Sequence, residues 1–305
     1  MVDLTGRRVL VTGANSGIGL EACVQLAQMG ADVTMVARDR AKADAARVDV
    51  ETRARRALGP SGRERIRTPE VLLCDMASQS SIRALADEVR RTHARLDIVI
   101  NNAGSVSPTR ELTPDGIERT FAVNHLGYFL LTNLLLDLIV RSAPARIVNT
   151  SSVGHRAGTM PLDDLHFDKE RYSIMKAYGR SKLANVLFTR ELARRLHGQG
   201  VTVNCLHPGA VSTNIWSHAM WWARPILAVA KLFMVTPEKG GERIVYLATS
   251  PEVEGKTGGY YEANRLVDPA PLARDDDLAA TLWKVSADLV KLAPQRHDIL
   301  QGDAS

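Results

Sequence analysis

Cysteine is scarce in this chain: Cys23, Cys74 and Cys205 are the three in 305 residues. They are far apart, odd in number and set in apolar stretches, which excludes a disulfide framework and suits small buried side chains in a reducing compartment. No cluster of cysteine, histidine and carboxylate has metal-ligand spacing, so no metal is expected. No repeat period or low-complexity block occurs, and no basic run is interleaved with aromatics. The net charge of +5 comes mainly from arginines scattered over helical stretches, such as Arg53, Arg55, Arg56 and Arg63. That pattern is a solvated surface, and no nucleic-acid partner is expected. The N-terminus, MVDLTGRRVLVTG, runs straight into a strand. With no signal peptide and no apolar run long enough to span a bilayer, the expectation is a cytoplasmic chain without a transmembrane segment.

What is present is an alternation. Apolar runs at 8–12, 32–37, 70–74, 96–101, 146–150 and 201–206 read as strands. Helical periodicity occupies 17–29, 39–57, 79–93, 115–140, 172–198 and 237–249. Short runs rich in Val, Ile and Leu between longer helices imply βαβ units and a parallel sheet covered on both faces. The fold class expected is α/β, a doubly wound Rossmann fold with a mostly parallel seven-stranded sheet, in one domain over 1–305. Ligands of such a sheet sit beyond the carboxyl ends of its strands.

The residues at those ends have matching chemistry. Strand 8–12 leads into Gly13-Ala14-Asn15-Ser16-Gly17-Ile18-Gly19 and then a helix. Glycines there permit a tight turn and a close backbone approach to a pyrophosphate, which the helix N-terminus stabilises. The spacing is GxxxGxG rather than GxGxxG. Strand 32–37 ends in Ala37 and is followed by Arg38 and Asp39. An acidic strand end would hold a ribose 2′-hydroxyl, whereas an arginine accommodates a 2′-phosphate, so NADP(H) is favoured and NAD(H) stays open. Asp39 tempers that reading unless it caps the next helix. Asp75-Met76 after the third strand suits an adenine edge, and Asn101-Asn102-Ala103-Gly104 after the fourth leaves room beside a cofactor.

Ser151 and Ser152 follow the fifth strand, and Tyr178 and Lys182 lie four apart in a helical segment, on one face. An ammonium near a phenol favours the phenolate, which would lower the tyrosine pKa from about 10 towards a working range. A bare YxxxK is usually a solvated helix face. Here TGxxxGxG, Asp75, NNAG, Val123-Asn124-His125, Ser151-Ser152, YxxxK and Pro208-Gly209 occur together and in order. The set resembles the short-chain dehydrogenase/reductase family from about Val9 to Tyr261.

The resemblance implies roles for matching residues. Tyr178 would be the catalytic acid/base, Ser152 rather than Ser151 would polarise the substrate oxygen, and Lys182 would bind the nicotinamide ribose. Asn124 would support a water that completes a proton relay. Gly13, Asn15, Ser16, Gly17, Ile18, Gly19, Arg38, Asp75, Met76, Asn101, Asn102, Ala103 and Gly104 would line the cofactor. Pro208, Gly209, Val211 and Thr213 would shape the carboxamide site.

Ser152 and Tyr178 stand 26 positions apart, about twice the family's usual interval. His155, Pro161, Leu162-Asp163-Asp164-Leu165 and Arg171-Tyr172 fill that interval. With Ser181-Lys182-Leu183-Ala184-Asn185-Val186-Leu187-Phe188, they resemble the branch of retinol dehydrogenases and WW-domain-containing oxidoreductases, with protochlorophyllide reductases more distant. That branch implies a lipophilic alcohol, aldehyde or ketone as substrate, although a membrane anchor like that of animal retinol dehydrogenases is not expected. A segment of about 211–236 carries Trp216, Trp221 and Trp222. It is expected to be a substrate lid, ahead of core or dimer packing or membrane contact. A tail helix of about 272–292 begins with acidic residues and is expected to dock on the body. The resemblance admits a homodimer or homotetramer through 115–140 and 172–198. Two other functions fit the same scaffold: a nucleotide-binding regulatory protein, and a non-redox dehydratase or epimerase.

Overall fold

The computed structural model describes residues 2–209 and 235–293. Its elements run β1 (Arg8–Thr12), α1 (Gly17–Gln28), β2 (Asp32–Ala37), α2 (Arg40–Gly62), β3 (Glu70–Leu73), α3 (Gln79–Thr92), β4 (Ile98–Asn101) and α4 (Arg119–Arg141). They continue with β5 (Ala145–Thr150), α5 (Ile174–Arg195), β6 (Val201–His207), α6 (Pro237–Thr249), β7 (Tyr260–Glu262), β8 (Arg265–Val267) and α7 (Asp276–Leu289). The sheet order is β3-β2-β1-β4-β5-β6-β7-β8. Every neighbouring pair is parallel except β7 and β8.

Both faces of the sheet are buried. On one side Leu10, Val99 and Val203 meet α3, α4, α5 and α7 through residues such as Leu85, Phe129, Leu187 and Trp283. On the other, Val9, Val11 and Ile100 meet α1, α2 and α6 through Leu26, Val50 and Ile244. Successive strand residues point to opposite cores, so β1 and β4 are apolar at consecutive positions without alternation.

The doubly wound α/β architecture follows the expectation, with one more strand than the seven inferred. The eighth is three residues long, joined to β7 through Ala263 and Asn264 at φ +47° and +65°. Two consecutive left-handed residues make the tight turn that antiparallel hairpins favour. Leu266, 64% exposed, gives this edge no buried face that would mark it as a strand.

The helix expected from 115 begins at Arg119, because Glu118 caps it: its carboxylate accepts from the N–H groups of Thr120 at 2.9 Å and Phe121 at 2.7 Å. The same helix corrects the expectation that no apolar run could span a bilayer. Arg119–Arg141 is long and apolar enough, with a mean hydropathy of 1.5, yet 83% of its apolar window is buried within the fold. Here that apolarity is used against the sheet and the flanking helices.

The tail helix is shorter than 272–292, running Asp276–Leu289 after a 3-10 turn at Pro271–Arg274. It docks on the body as expected. Trp283 lies edge-on to Phe129 at 4.9 Å, stacks on Phe188 at 5.8 Å, and is covered by the Arg195 guanidinium at 4.2 Å. Trp283→Ala should therefore cost about 3–5 kcal/mol of folding stability. Urea unfolding followed by far-ultraviolet circular dichroism measures it; a loss under 1 kcal/mol would mean that the tail is not part of the core.

Candidate active site

The turn after β1 is built for close approach. Gly13 and Gly17 adopt φ of +66° and +54°. A Cβ on Gly13 would come within 2.8 Å of the Ala103 Cα, and one on Gly19 would run into the Gly13 carbonyl and Asn102 Nδ2. Backbone therefore lies against backbone where the turns after β1 and β4 meet. Thr12 Oγ1 accepts from the N–H groups of Asn102 at 2.9 Å and Ala103 at 3.0 Å, and Asn102 Nδ2 donates to the Thr12 carbonyl at 3.0 Å. This cradle fits a dinucleotide phosphate group, with the α1 N-terminus behind it.

Arg38 is exposed at the end of β2. Asp39 caps α2, its Oδ1 accepting from the Lys42 N–H at 2.9 Å. Asp75 holds its own turn, accepting from the Ala77 N–H at 3.0 Å. The Met76 side chain is buried beside Gly127 of α4, so what it offers a ligand is backbone. Asn101 is a correction. It is fully buried and donates inward to Thr132 Oγ1 at 2.9 Å and Asn149 Oδ1 at 2.8 Å, tying β4 to α4 and β5 instead of lining the cleft. Gly104 lies close to the Asn124 side chain, whose Oδ1 accepts from the Ser105 N–H at 2.8 Å.

At the end of β5 the two serines diverge. Ser151 Oγ donates to the Lys182 carbonyl at 2.8 Å and is structural. Ser152 Oγ accepts from the Gly154 N–H at 3.1 Å and is hydrogen-bonded to Tyr178. Lys182 Nζ lies 5.7 Å from the Tyr178 ring centroid and donates to the Thr150 carbonyl at 3.1 Å. Asn124 Nδ2 donates to Ser181 Oγ at 3.1 Å, which ties its side chain to the turn of α5 that carries Tyr178 and Lys182.

The expected direction of the tyrosine shift is reversed. Burial raises the Tyr178 pKa above its ordinary value, opposed by the Ser152 hydrogen bond. Burial also pushes the Lys182 ammonium down to about 8. Desolvation penalises whichever form is charged, and it is the largest cause of both shifts. At neutral pH the pair is therefore a phenol beside an ammonium.

The Pro208 carbonyl accepts from Arg243 Nη1 at 3.1 Å, and Gly209 adopts φ +106°. Val211, Thr213 and nearly all of the expected lid, including Trp216, Trp221 and Trp222, lie outside the described residues.

Sequence reasoning missed the residues that hold the long interval between Ser152 and Tyr178. Arg180 is fully buried, donates to the carbonyls of Asp164 at 2.7 Å and Leu165 at 3.2 Å, pairs with Glu170, and lies 4.0 Å over the Phe167 ring. The Asp164 carboxylate accepts from the N–H groups of Asp168, Lys169 and Glu170. His155 Nδ1 donates to the Ser152 carbonyl at 2.7 Å while its Nε2 accepts from the Ala270 N–H at 3.0 Å. The one available signal for Arg180 was its place among small residues, Ala177, Gly179 and Ser181, on the buried face of α5.

Residues 7–222 match the family model for short chain dehydrogenase. Human retinol dehydrogenase 14 is 44% identical over 296 residues, covering 94% of this chain and 87% of the relative. Among solved structures, an uncharacterised protein from Mycobacterium Paratuberculosis aligns with a TM-score of 0.74 and 32% identity, covering 95% of this chain and 96% of that one. A short chain dehydrogenase from Shigella flexneri 2A str. 301, complexed with NADP, aligns with a TM-score of 0.65 and 26% identity, covering 86% and 98%.

Removing the Arg180 anchor tests how the interval is held. Arg180→Met keeps the stem length but takes the guanidinium from the Asp164 and Leu165 carbonyls and leaves the latter without its donor, a loss of roughly 1–3 kcal/mol. Limited proteolysis should then cut within 161–173 before any other site. A cleavage pattern unchanged from the parent protein would show that Arg180 does not hold this loop.

Proposed function

The chain belongs to the short-chain dehydrogenase family, in its retinol dehydrogenase-like branch, and from that premise we propose that it moves hydride between NADP(H) and the carbonyl or alcohol of a lipophilic small molecule. The observation that carries this reading is the meeting of Ser152, Tyr178 and Lys182 at the end of β5, beside the glycine cradle. When bound, the nicotinamide supplies or accepts the hydride. The chain's own residues do the rest. The Ser152 hydroxyl holds the substrate oxygen, and Tyr178, kept protonated by burial, gives that oxygen its proton in reduction and recovers it in oxidation. The Lys182 ammonium holds the ribose and offsets negative charge on the tyrosine oxygen as the proton leaves. Asn124 orders the relay behind Lys182.

Three features support NADP(H). Ala37 ends β2 with no acid, Asp39 is engaged as a helix cap, and Arg38 stands exposed beside them. The Shigella flexneri relative is a complex with NADP. A lipophilic substrate is supported by Val153, 42% exposed next to Ser152, and Met175, 60% exposed one helical turn before Tyr178. The free cysteines, all buried, support a reducing compartment, and we place the enzyme in the cytoplasm.

The direct test is loss of NADPH absorbance with aldehydes of increasing chain length. Turnover should rise with length, by about 0.8 kcal/mol of specificity for each methylene buried, until the pocket is full. Tyr178→Phe should keep NADPH binding, read by fluorescence, and lose at least ~10²-fold in kcat. Near-normal turnover in that variant would remove Tyr178 from the mechanism. The pH dependence has a definite sign. Reduction should be steady through neutrality and decline as pH rises through about 8, where Lys182 gives up its charge while Tyr178 is still protonated. A rate that climbs across that range would contradict the assigned charge states.

The coenzyme preference has its own test. Arg38→Ala should weaken NADPH by about 1.5–3 kcal/mol, one charge-assisted hydrogen bond, and leave NADH little changed. Equal losses in titrations with both coenzymes would mean that Arg38 does not read the 2′-phosphate.

A further inference from the structure

We propose that Asn185 is a positioning residue for the reaction: its amide ties the Thr150 carbonyl, which accepts from Lys182, to the Asn124 carbonyl, and His125 of α4 braces it, itself bonded to Ser286 of the C-terminal helix. The proposal rests on the functional reading above. Asn185 lies three positions after Lys182, on the same side of α5, and is fully buried. Its Nδ2 donates to the Asn124 carbonyl at 2.9 Å and to the Thr150 carbonyl at 3.1 Å. The Thr150 carbonyl is also the acceptor for the Lys182 ammonium at 3.1 Å. One oxygen thus orders both groups, two residues before Ser152.

Asn124 lies within a π-helical turn, Ala122–Leu126, where the Gly127 N–H reaches the Ala122 carbonyl five residues back. Such a turn departs from α-helical pairing and needs its surroundings to hold it. Here the Asn185 amide takes the Asn124 carbonyl, while Asn124 Nδ2 and Oδ1 bind Ser181 and Ser105. The rest of the chain of bonds follows from chemistry. With both Nδ2 hydrogens on carbonyls, Asn185 Oδ1 faces His125 Nδ1 at 3.3 Å and can only accept. The ring therefore carries its proton on Nδ1, and Nε2 accepts from Ser286 Oγ at 3.0 Å. His125 is neutral, since burial pushes its pKa down to about 4. Each donor meets an acceptor from α7 to the Lys182 ammonium. Buried networks of this kind fix one geometry when they are complete.

The titratable groups that surround Lys182 and Asn185 are Tyr178 on α5, His125 and Tyr128 on α4, and His207 at the end of β6. None of them is altered in Asn185→Leu, which removes the two N–H groups at similar volume. The Thr150 carbonyl would then present its negative end to Lys182 without a competing donor. That stabilises the ammonium, so the Lys182 pKa should rise by about half a unit or more. Misplacement of Lys182 should also lower kcat roughly 10–100-fold, with little change in the KM for NADPH.

The ionisation is read by ¹³C NMR of the lysine Cε resonances, assigned with Lys182→Met, and needs no turnover. His125→Leu, which leaves Asn185 itself in place, is the second variant should Asn185→Leu fail to fold. It should move the Lys182 titration in the same direction. His125→Asn, which keeps a donor near Nδ1, should restore it. A lowered melting temperature with unchanged Lys182 titration and unchanged kcat would reduce the network to packing and overturn the proposal. If the parent enzyme turned over no carbonyl substrate, the functional reading would fall, while a Lys182 titration shifted in these variants would still uphold the clamp.

Discussion

The carboxyl edge of the sheet depends on one close crossing, where the turn after β1 lies against the turn after β4. Strand order reverses at this point, since β1 sits between β2 and β4, and the chain leaves the two strands towards opposite faces. The crevice that opens has the Thr12 hydroxyl at its floor, accepting from two consecutive N–H groups of the opposite turn. Side chains would push the turns apart, which is why Gly13 and Gly19 stand where a Cβ would meet backbone. Van der Waals separation therefore decides both the residue types at this crossing and the width of the cleft above it.

From that crossing the electrostatics of the site follow through burial. Lys182 is nearly inaccessible, and the Thr150 carbonyl meets its ammonium. Burial penalises the charged ammonium, and its pKa falls to about 8. The same desolvation keeps Tyr178 a phenol. One physical cause thus sets both protonation states, and they are the pair that a carbonyl reduction needs at neutral pH.

The alternation of strands and helices, the glycine turn and the Ser152–Tyr178–Lys182 set were legible in the sequence because each is local or carried by a spaced motif. Hairpin strand β8 was not, since three residues with an exposed leucine carry no periodicity. The start of α4 was not, because the Glu118 cap looks like another polar helix residue. Asn101 was misplaced for a different reason. The amide pair Asn101-Asn102 reads as one polar unit, but strand alternation sends Asn101 inward to Asn149 and leaves Asn102 at the turn. The direction of the Tyr178 shift could not be read because spacing gives the distance between two groups and says nothing of their solvent.

Arg180 and His155 were illegible because their partners are backbone carbonyls and N–H groups, which every residue has. That choice of partner has a structural consequence. The stretch between Ser152 and Tyr178 is held by hydrogen bonds to its backbone from Arg180 and by the Asp164 carboxylate, together with the buried side chains of Leu165 and Phe167. Its exposed side chains are therefore freer to differ than those of the sheet, where packing penalises each change of volume. His155 joins the Ser152 carbonyl to Ala270, and Arg180 sits two residues after Tyr178, so both ends of the loop are pinned beside Ser152 and Tyr178. A loop held this way can vary along its exposed face while the serine and tyrosine it connects keep their places.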